Sequence, residues 1–411
     1  MEHYKYVIIG GGLAGGKAVE GIRELDKEGA IVLVTNEPHR PYQRPPLSKG
    51  YLRGVQPEEA VYVAEADYYA ENNVTLLMGV EATALDREAH TVTLDDARVL
   101  EYEKLLLATG GRAKRLPIPG SDLESVFTLR RIEDSDHIRE AAGPDVPALV
   151  LGGSFIGSEA AAGLAMMGAN VIMVFPENRL LERLAPRVMS EWLHEIYAEH
   201  NVRILTGITP ERFFGATKVE RVELSNGAMP DVDMVVMGVG IALNTELAEE
   251  AGLRVQEGDK AILVNRHLQT NDPDIYAAGD VAAWPDATFD KRLRVEHWDV
   301  ARRQGLQAGK NMAGADKPYE ALPYFFSDLF DLSFEVWGDL SEWDRTVQRG
   351  NLEARSVAFY YFRDGKMVGV LAMGRPEEER EPMQALVQAR PRYEAVVEQL
   401  GDEAFDLSEL T

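Results

Sequence analysis

The sequence predicts an α/β chain: two parallel, doubly wound units followed by a smaller α+β domain. Three observations carry this. KYVIIGGGLAGG near the start is echoed by PALVLGGSFIGSE at 147–159, each a short apolar strand, a glycine turn and an alanine-rich helix. Each helix leads into a second apolar strand, IVLVTNE at 31–37 and NVIMVFPE at 170–177, which completes two βαβ units. From about residue 319 the texture changes to SFEVWGDL and SVAFYYFRDGKMVGVLAMG, which read as an antiparallel sheet, with a helix at the C-terminus.

The remaining elements follow in order. HTVTLDD alternates like a half-exposed strand, and KLLLATGG reads as a buried one. AGPDVPA at 142–148 has linker composition. ERVELSNG and DVDMVVMGVG read as a further strand pair, and DIYAAGD at 274–280 as a buried strand ending in an acidic turn. Asp364-Gly365 is a hairpin signal. The expected domains are 1–117 with 244–318, an inserted 118–243, and a C-terminal interface domain at 319–411.

At 411 residues the chain is too long for one ordinary core. The absence of cysteine removes disulfides, thiolate metal sites and any redox dithiol, and no metal is expected. A formal charge of −25 argues against nonspecific nucleic-acid binding. No apolar run is long enough to span a bilayer. The start, MEHYKYVIIGGG, enters a strand without a signal-peptide pattern, so a cytoplasmic location is expected.

Gly10, Gly12 and Gly15 have the G-x-G-x-x-G spacing. The first allows a tight turn, the second lets backbone approach a pyrophosphate, and the third packs helix on strand. Glu37, at the end of the next strand, suits a ribose diol. Strand, helix and acid together predict a Rossmann-like dinucleotide site; a glycine turn serving packing alone is the plain alternative. In the second turn Gly152 and Gly157 are in place, but Ser154 holds the middle position. Phe175 stands where an acid often binds a ribose, and Glu177 lies two residues on. Dinucleotide binding is expected here too, with a degenerate site as the alternative.

Two such units, the ATGG turn at 108–111 and YAAGD at 276–280 form a specific set. The chain resembles the FAD-dependent pyridine nucleotide oxidoreductases. HRPYQRPPLSK at 39–49 looks like the branch without a redox disulfide: ferredoxin and rubredoxin reductases and apoptosis-inducing factor. The resemblance implies FAD in the first unit and NADH or NADPH in the second, with NADH favoured through Glu177 and with Arg179 and Arg183 as the counter-argument. It implies that Gly10, Gly12, Gly15, Glu37, Arg44, Thr109, Gly110 and Asp280 hold FAD. Glu296, His297 and Trp298 would begin a helix pointing at the flavin. Gly152, Phe155, Ile156, Gly157, Glu177 and Gly240 would hold the nicotinamide nucleotide. Lys49 would lie beside flavin N5, paired with Glu159; an exposed lysine and a helix-dipole acid are the bland alternatives.

The prolines of that segment would stiffen it, so that Arg44 and Lys49 are presented at small ordering cost. FFSDLFDLSFEVWGD at 325–339 resembles the C-terminal domain of ferredoxin-reductase-like members, which covers the flavin face opposite the nucleotide. The implied activity is an NAD(P)H reductase passing electrons to a ferredoxin, a rubredoxin, a quinone or oxygen, and a homodimer is compatible with it. Two other readings compete: a slow NADH redox sensor forming a charge-transfer complex, and a flavin-bearing structural protein. Lys291, Arg292, Arg294, Arg302 and Arg303 gather near the flavin-facing helix and are a candidate docking patch for an electron carrier, unless they only balance nearby acids.

Overall fold

The computed structural model describes residues 1–411, which divide into two compact units. The first comprises Met1–Arg44, Glu58–Arg112 and Ile241–Pro323, and the second Pro45–Pro57, Ala113–Gly240 and Tyr324–Thr411.

In the first unit a parallel core runs in the order Val74–Met78, Ile31–Thr35, Glu2–Ile9, Val99–Leu107, Ile275–Ala277. Ile31–Thr35 is buried along its whole length, as a strand covered on both faces must be. Val99–Leu107 is long enough to take two partners on one edge. Its C-terminal part pairs with Ile275–Ala277, and its N-terminal part with Thr91–Leu94, which in turn pairs with Ala82–Asp86. Helix Leu13–Leu25 packs on helix Trp298–Met312 at backbone distance. A Cβ on Gly305 or Gly309 would lie 2.2 Å from the carbonyl oxygen of Ala14 or Ala18. This contact fixes the helix that begins with Trp298.

The second unit repeats the arrangement. Its parallel strands run Arg203–Thr206, Asn170–Phe175, Pro147–Leu151, Met234–Met237, Val126–Thr128. In both sheets the strand before the glycine turn is central and the strand after its helix lies beside it. The echo seen in the sequence is thus a repeated topology.

ERVELSNG and DVDMVVMGVG both form strands, but they meet only at a single antiparallel bridge, Arg221 with Asp231, and their main strands enter different sheets, contrary to the expected pair. Arg221–Leu224 pairs antiparallel with Pro210–Phe214, while Met234–Met237 lies between two parallel strands. Their burial explains it. Arg221–Leu224 alternates between buried and solvent-facing positions, whereas Met234–Met237 is buried throughout and fits only a sheet centre.

The C-terminal part is a five-stranded antiparallel sheet, Tyr324–Leu329, Leu332–Gly338, Lys366–Met373, Ser356–Arg363, Arg345–Asn351. One of its two-residue hairpins turns at Asp364 and Gly365, both at positive φ. Two helices follow where one was expected, Arg380–Ala389 and Tyr393–Gly401. Arg390 ends the first in the left-handed region, and Pro391 cannot continue it.

Candidate functional site

The first glycine turn separates two kinds of glycine. Gly10 has φ +123°, and a Cβ there would lie 2.1 Å from the Ala108 carbonyl oxygen. A Cβ on Gly15 would lie 2.0 Å from the Gly10 carbonyl oxygen. A Cβ on Gly12 would meet nothing within 4 Å. Two of the glycines are therefore demanded by the protein's own backbone. The middle one faces an open cradle at the N-terminus of helix Leu13–Leu25, where unpaired backbone N–H groups favour an anion. The pyrophosphate of a dinucleotide fits that cradle.

Glu37 follows strand Ile31–Thr35 and is 8% exposed. Its carboxylate accepts from the Tyr42 hydroxyl at 2.5 Å and from Arg44 Nη2 at 3.1 Å. Arg44 Nη1 also donates to the Tyr42 oxygen at 3.1 Å. Burial opposes the Arg44 charge, but Tyr42, Glu37 and Asp280 together hold its pKa above the ordinary value. Tyr42 was missed by the sequence reading. Its signal was position, two residues before Arg44 in the same proline-rich loop.

Asp280 follows strand Ile275–Ala277 and acts electrostatically on both Arg44 and His297. His297 caps helix Trp298–Met312, and burial pushes its imidazole down to about 4, against the upward pull of Asp280. It is neutral at physiological pH. Trp298 Nε1 donates to Gln43 Oε1 at 2.9 Å, and the Arg302 guanidinium lies 5.5 Å from the indole centroid. Gln43 is a second missed partner, again from the proline-rich loop. Thr109 and Gly110 form a turn stapled by Asn244: Thr109 Oγ1 donates to the Asn244 carbonyl at 2.5 Å, and Asn244 Nδ2 donates to the Thr109 carbonyl at 3.0 Å. Glu296 is exposed and pairs with Arg294 at 2.6 Å.

In the second unit Gly152 and Gly157 repeat the backbone-limited pair. Their Cβ atoms would lie 2.3 Å from the Gly238 oxygen and 2.0 Å from the Gly152 oxygen. Ser154 caps helix Phe155–Met166 in extended conformation with its side chain exposed. The Phe175 ring is buried beneath the turn, where a Cβ on Gly153 would approach it to 2.7 Å. Phe175 is therefore a floor for the glycine turn. Glu177 is half-buried beyond it, Arg179 pairs with Glu182 at 3.3 Å, and Arg183 is exposed. Gly240 has φ +91° with open space around it, and Ile156 is 41% exposed.

The second unit also assembles Lys49 and Glu159. The 3-10 turn Pro45–Ser48 is closed by the Lys49 N–H donating to the Pro46 carbonyl at 3.0 Å. It delivers two neighbouring side chains to one carboxylate. Lys49 Nζ is 2.6 Å from Glu159 Oε1, and Ser48 Oγ donates to Oε2 at 2.5 Å. Glu159 is 5% exposed and Lys49 15%. A third donor comes from strand Tyr324–Leu329, where Ser327 Oγ reaches Glu159 Oε1 at 2.7 Å. The neighbouring residues of that strand join in: the Phe325 ring meets Phe155 edge-on at 4.9 Å, and Lys49 Nζ lies 5.7 Å from the Phe326 centroid. The C-terminal strand thus reaches the start of the nucleotide-side helix, beyond the covering role expected of it.

The arginines of the basic cluster are locally satisfied. Arg292 donates to the carbonyls of Val264 and Ala283, Arg294 pairs with Asp259 and Glu296, and Arg302 and Arg303 both pair with Asp299. The arginines stabilise their own strand and helix more than they form a free positive surface.

Comparison with known proteins agrees with this geometry. Residues 4–305 match the family described as pyridine nucleotide-disulphide oxidoreductase, and residues 324–411 match the reductase C-terminal family. The chain is 34% identical over 410 residues to putidaredoxin reductase CamA of Pseudomonas putida, spanning 98% of this chain and 96% of that one. Its structure is similar, with TM-score 0.92 and 30% identity, to a ferredoxin reductase for the CYP199A2 system from Rhodopseudomonas palustris, over 99% of both chains. It is equally similar, with TM-score 0.92 and 33% identity, to the covalent putidaredoxin reductase–putidaredoxin complex, over 100% of this chain and 98% of that one. The chain belongs to the pyridine nucleotide-disulphide oxidoreductase family. It is an FAD-dependent NAD(P)H oxidoreductase of the ferredoxin reductase type, and the slow-sensor alternative is not supported. No helix is long and apolar enough to cross a membrane.

Proposed function

We propose that this reductase takes electrons from NADH and delivers them to a ferredoxin-type iron–sulfur carrier. One observation carries the reading: the chain matches such reductases along its whole length yet contains no cysteine. With no dithiol to relay electrons, they must leave directly from the cofactor to an external acceptor. Bound FAD would supply hydride acceptance from the nicotinamide and release of single electrons.

The residues have these roles. Gly12 admits the FAD pyrophosphate, Glu37 and Arg44 hold the adenosine side, and Asp280 accepts from the ribityl chain. Thr109 and Gly110 shape the turn beside it, and Glu296 and His297 lead into the flavin-facing helix. Trp298, fixed by Gln43 and Arg302, presents a flat apolar wall. Phe155, braced by Phe325, orients the nicotinamide for close approach. Gly152, Ile156, Gly157 and Gly240 leave room for the nucleotide backbone. Lys49, anchored by Glu159, would be the cation held near bound FAD, where its positive charge would favour the reduced form. We place the enzyme in the cytoplasm.

Anaerobic stopped-flow tests the acceptor. After one equivalent of NADH, a [2Fe–2S] ferredoxin should reoxidise the cofactor within seconds. A long-wavelength band that persists in the presence of the ferredoxin rejects the reading. Salt sensitivity should follow the global charge of −25, because the four arginines of the basic cluster are already engaged by Asp259, Glu296, Asp299 and backbone carbonyls. Raising ionic strength should therefore speed reduction of an acidic ferredoxin by screening repulsion. Slowing would restore the local patch as the docking site.

NADH is the preferred donor in this reading. Glu177 can accept from a ribose diol and would repel a 2′-phosphate, while Arg179 is already occupied by Glu182. Glu177→Ala should narrow the NADH-to-NADPH ratio of kcat/KM by about tenfold, the equivalent of ~1.4 kcal/mol. Faster wild-type turnover with NADPH would overturn the assignment.

A further inference from the structure

We propose that Ser327, on the C-terminal sheet, is a positioning residue for the reductive half-reaction. It sets how tightly Glu159 binds Lys49. This rests on the reading of Lys49 and Glu159 as the pair that serves the flavin.

The argument begins with the cost of the residue. Ser327 is 3% exposed, in the segment FFSDLF, on the same strand as Phe325 and Leu329 and opposite Phe334 across the ladder. A buried hydroxyl among apolar side chains is unfavourable unless it is hydrogen-bonded. Its partner is Glu159 Oε1 at 2.7 Å, the same oxygen that Lys49 Nζ meets at 2.6 Å. Ser48 takes the other oxygen at 2.5 Å. Three donors from two segments distant in sequence from Glu159 thus converge on one carboxylate.

The two hydroxyls are neutral donors, so each disperses part of the carboxylate charge without adding a charge of its own. With Ser327 in place, Oε1 divides its attraction between a hydroxyl and an ammonium. Without it, the same oxygen would draw the ammonium more strongly to itself, and Lys49 would have less of its field free for the cofactor. Of the two residues just before Ser327 in the chain, Phe325 braces Phe155 and Phe326 lies near Lys49. One strand of the C-terminal domain therefore adjusts both components of the site, and Ser327 is the polar one.

Ser327→Ala, Ser327→Thr and Glu159→Ala test this in the FAD-loaded enzyme. Ser327→Ala should slow flavin reduction by NADH roughly tenfold, the order expected when one hydrogen bond to a charged group is lost. The dissociation constant for NADH should change by less than about twofold, since the Ser327 hydroxyl bonds to Glu159 and not to the residues assigned to the nucleotide. The flavin midpoint potential, read without turnover, should become more negative, because the tightened pair stabilises the reduced cofactor less. Ser327→Thr keeps the hydroxyl and should recover both rate and potential. If Ser327→Ala leaves rate and potential unchanged while Glu159→Ala slows reduction, the inference is wrong and the pair stands. A slowed Ser327→Ala with an unchanged potential, not rescued by threonine, marks a packing role and also overturns it. Normal reduction in Glu159→Ala removes the underlying reading and the inference together.

Discussion

Gly12→Val is expected to fold and to purify without FAD, whereas Gly15→Ala is expected to lose both the cofactor and the packing around it. Both positions belong to one fingerprint, but the structure assigns their constraints to different causes. Gly12 has φ −85° and ψ −172°, an extended conformation that suits valine. A Cβ there would touch no protein atom, so only a ligand can require the glycine. At Gly15 the added Cβ would lie 2.0 Å from a backbone oxygen. Relief requires the helix to shift off its strand, and overpacking of this kind costs about 1–3 kcal/mol or more. Thermal melting of the two apoproteins separates the cases, because bound FAD stabilises any form that holds it and would mask the difference. Gly12→Val should melt within a few degrees of wild-type apoprotein, with FAD affinity reduced by roughly a hundredfold or more, an amount equivalent to ~2.7 kcal/mol. Stoichiometric FAD in Gly12→Val would show that the cradle lies elsewhere.

Much of this was readable from the sequence because the features were local. Strand, glycine turn and helix are contiguous at 5–25 and again at 147–166, and the buried strands announce themselves as unbroken apolar runs. What stayed hidden was set by contacts between distant segments. Whether Arg221–Leu224 pairs with Met234–Met237 depends on which sheet each enters, and only the difference between alternating and continuous burial hinted at the answer. Phe175 looked like a missing acid, but its ring fills the space that Gly153 leaves. Arg292 looked like surface charge, yet its guanidinium is spent on two carbonyls. Ser327 carried the faintest signal of all, one polar residue on the buried side of an aromatic strand. Its partner lies 168 positions away.

Glu159→Ala should be the more damaging half of a coupled pair. Removing Lys49 leaves the Glu159 carboxylate with two hydroxyl donors, from Ser48 and Ser327. Removing Glu159 leaves the Lys49 ammonium with the Phe326 ring at 5.7 Å. An uncompensated buried charge costs about 3–5 kcal/mol, and the low end applies here because a flexible lysine can turn its head toward water. Lys49→Ala should cost nearer ~1–3 kcal/mol, the range for a buried polar group that loses one of several partners. Each single variant should slow flavin reduction by about a hundredfold, a ~2.7 kcal/mol loss of transition-state stabilisation. In the double variant neither charge is stranded, so its total cost should fall short of the sum by roughly 1–3 kcal/mol. Denaturant unfolding at fixed FAD concentration gives the stability cycle, and stopped-flow with NADH gives the rate cycle. Strictly additive effects in both would mean that Lys49 and Glu159 act separately. A Lys49→Ala variant less stable than Glu159→Ala would mean that the two serine hydroxyls do not support the carboxylate as their geometry indicates.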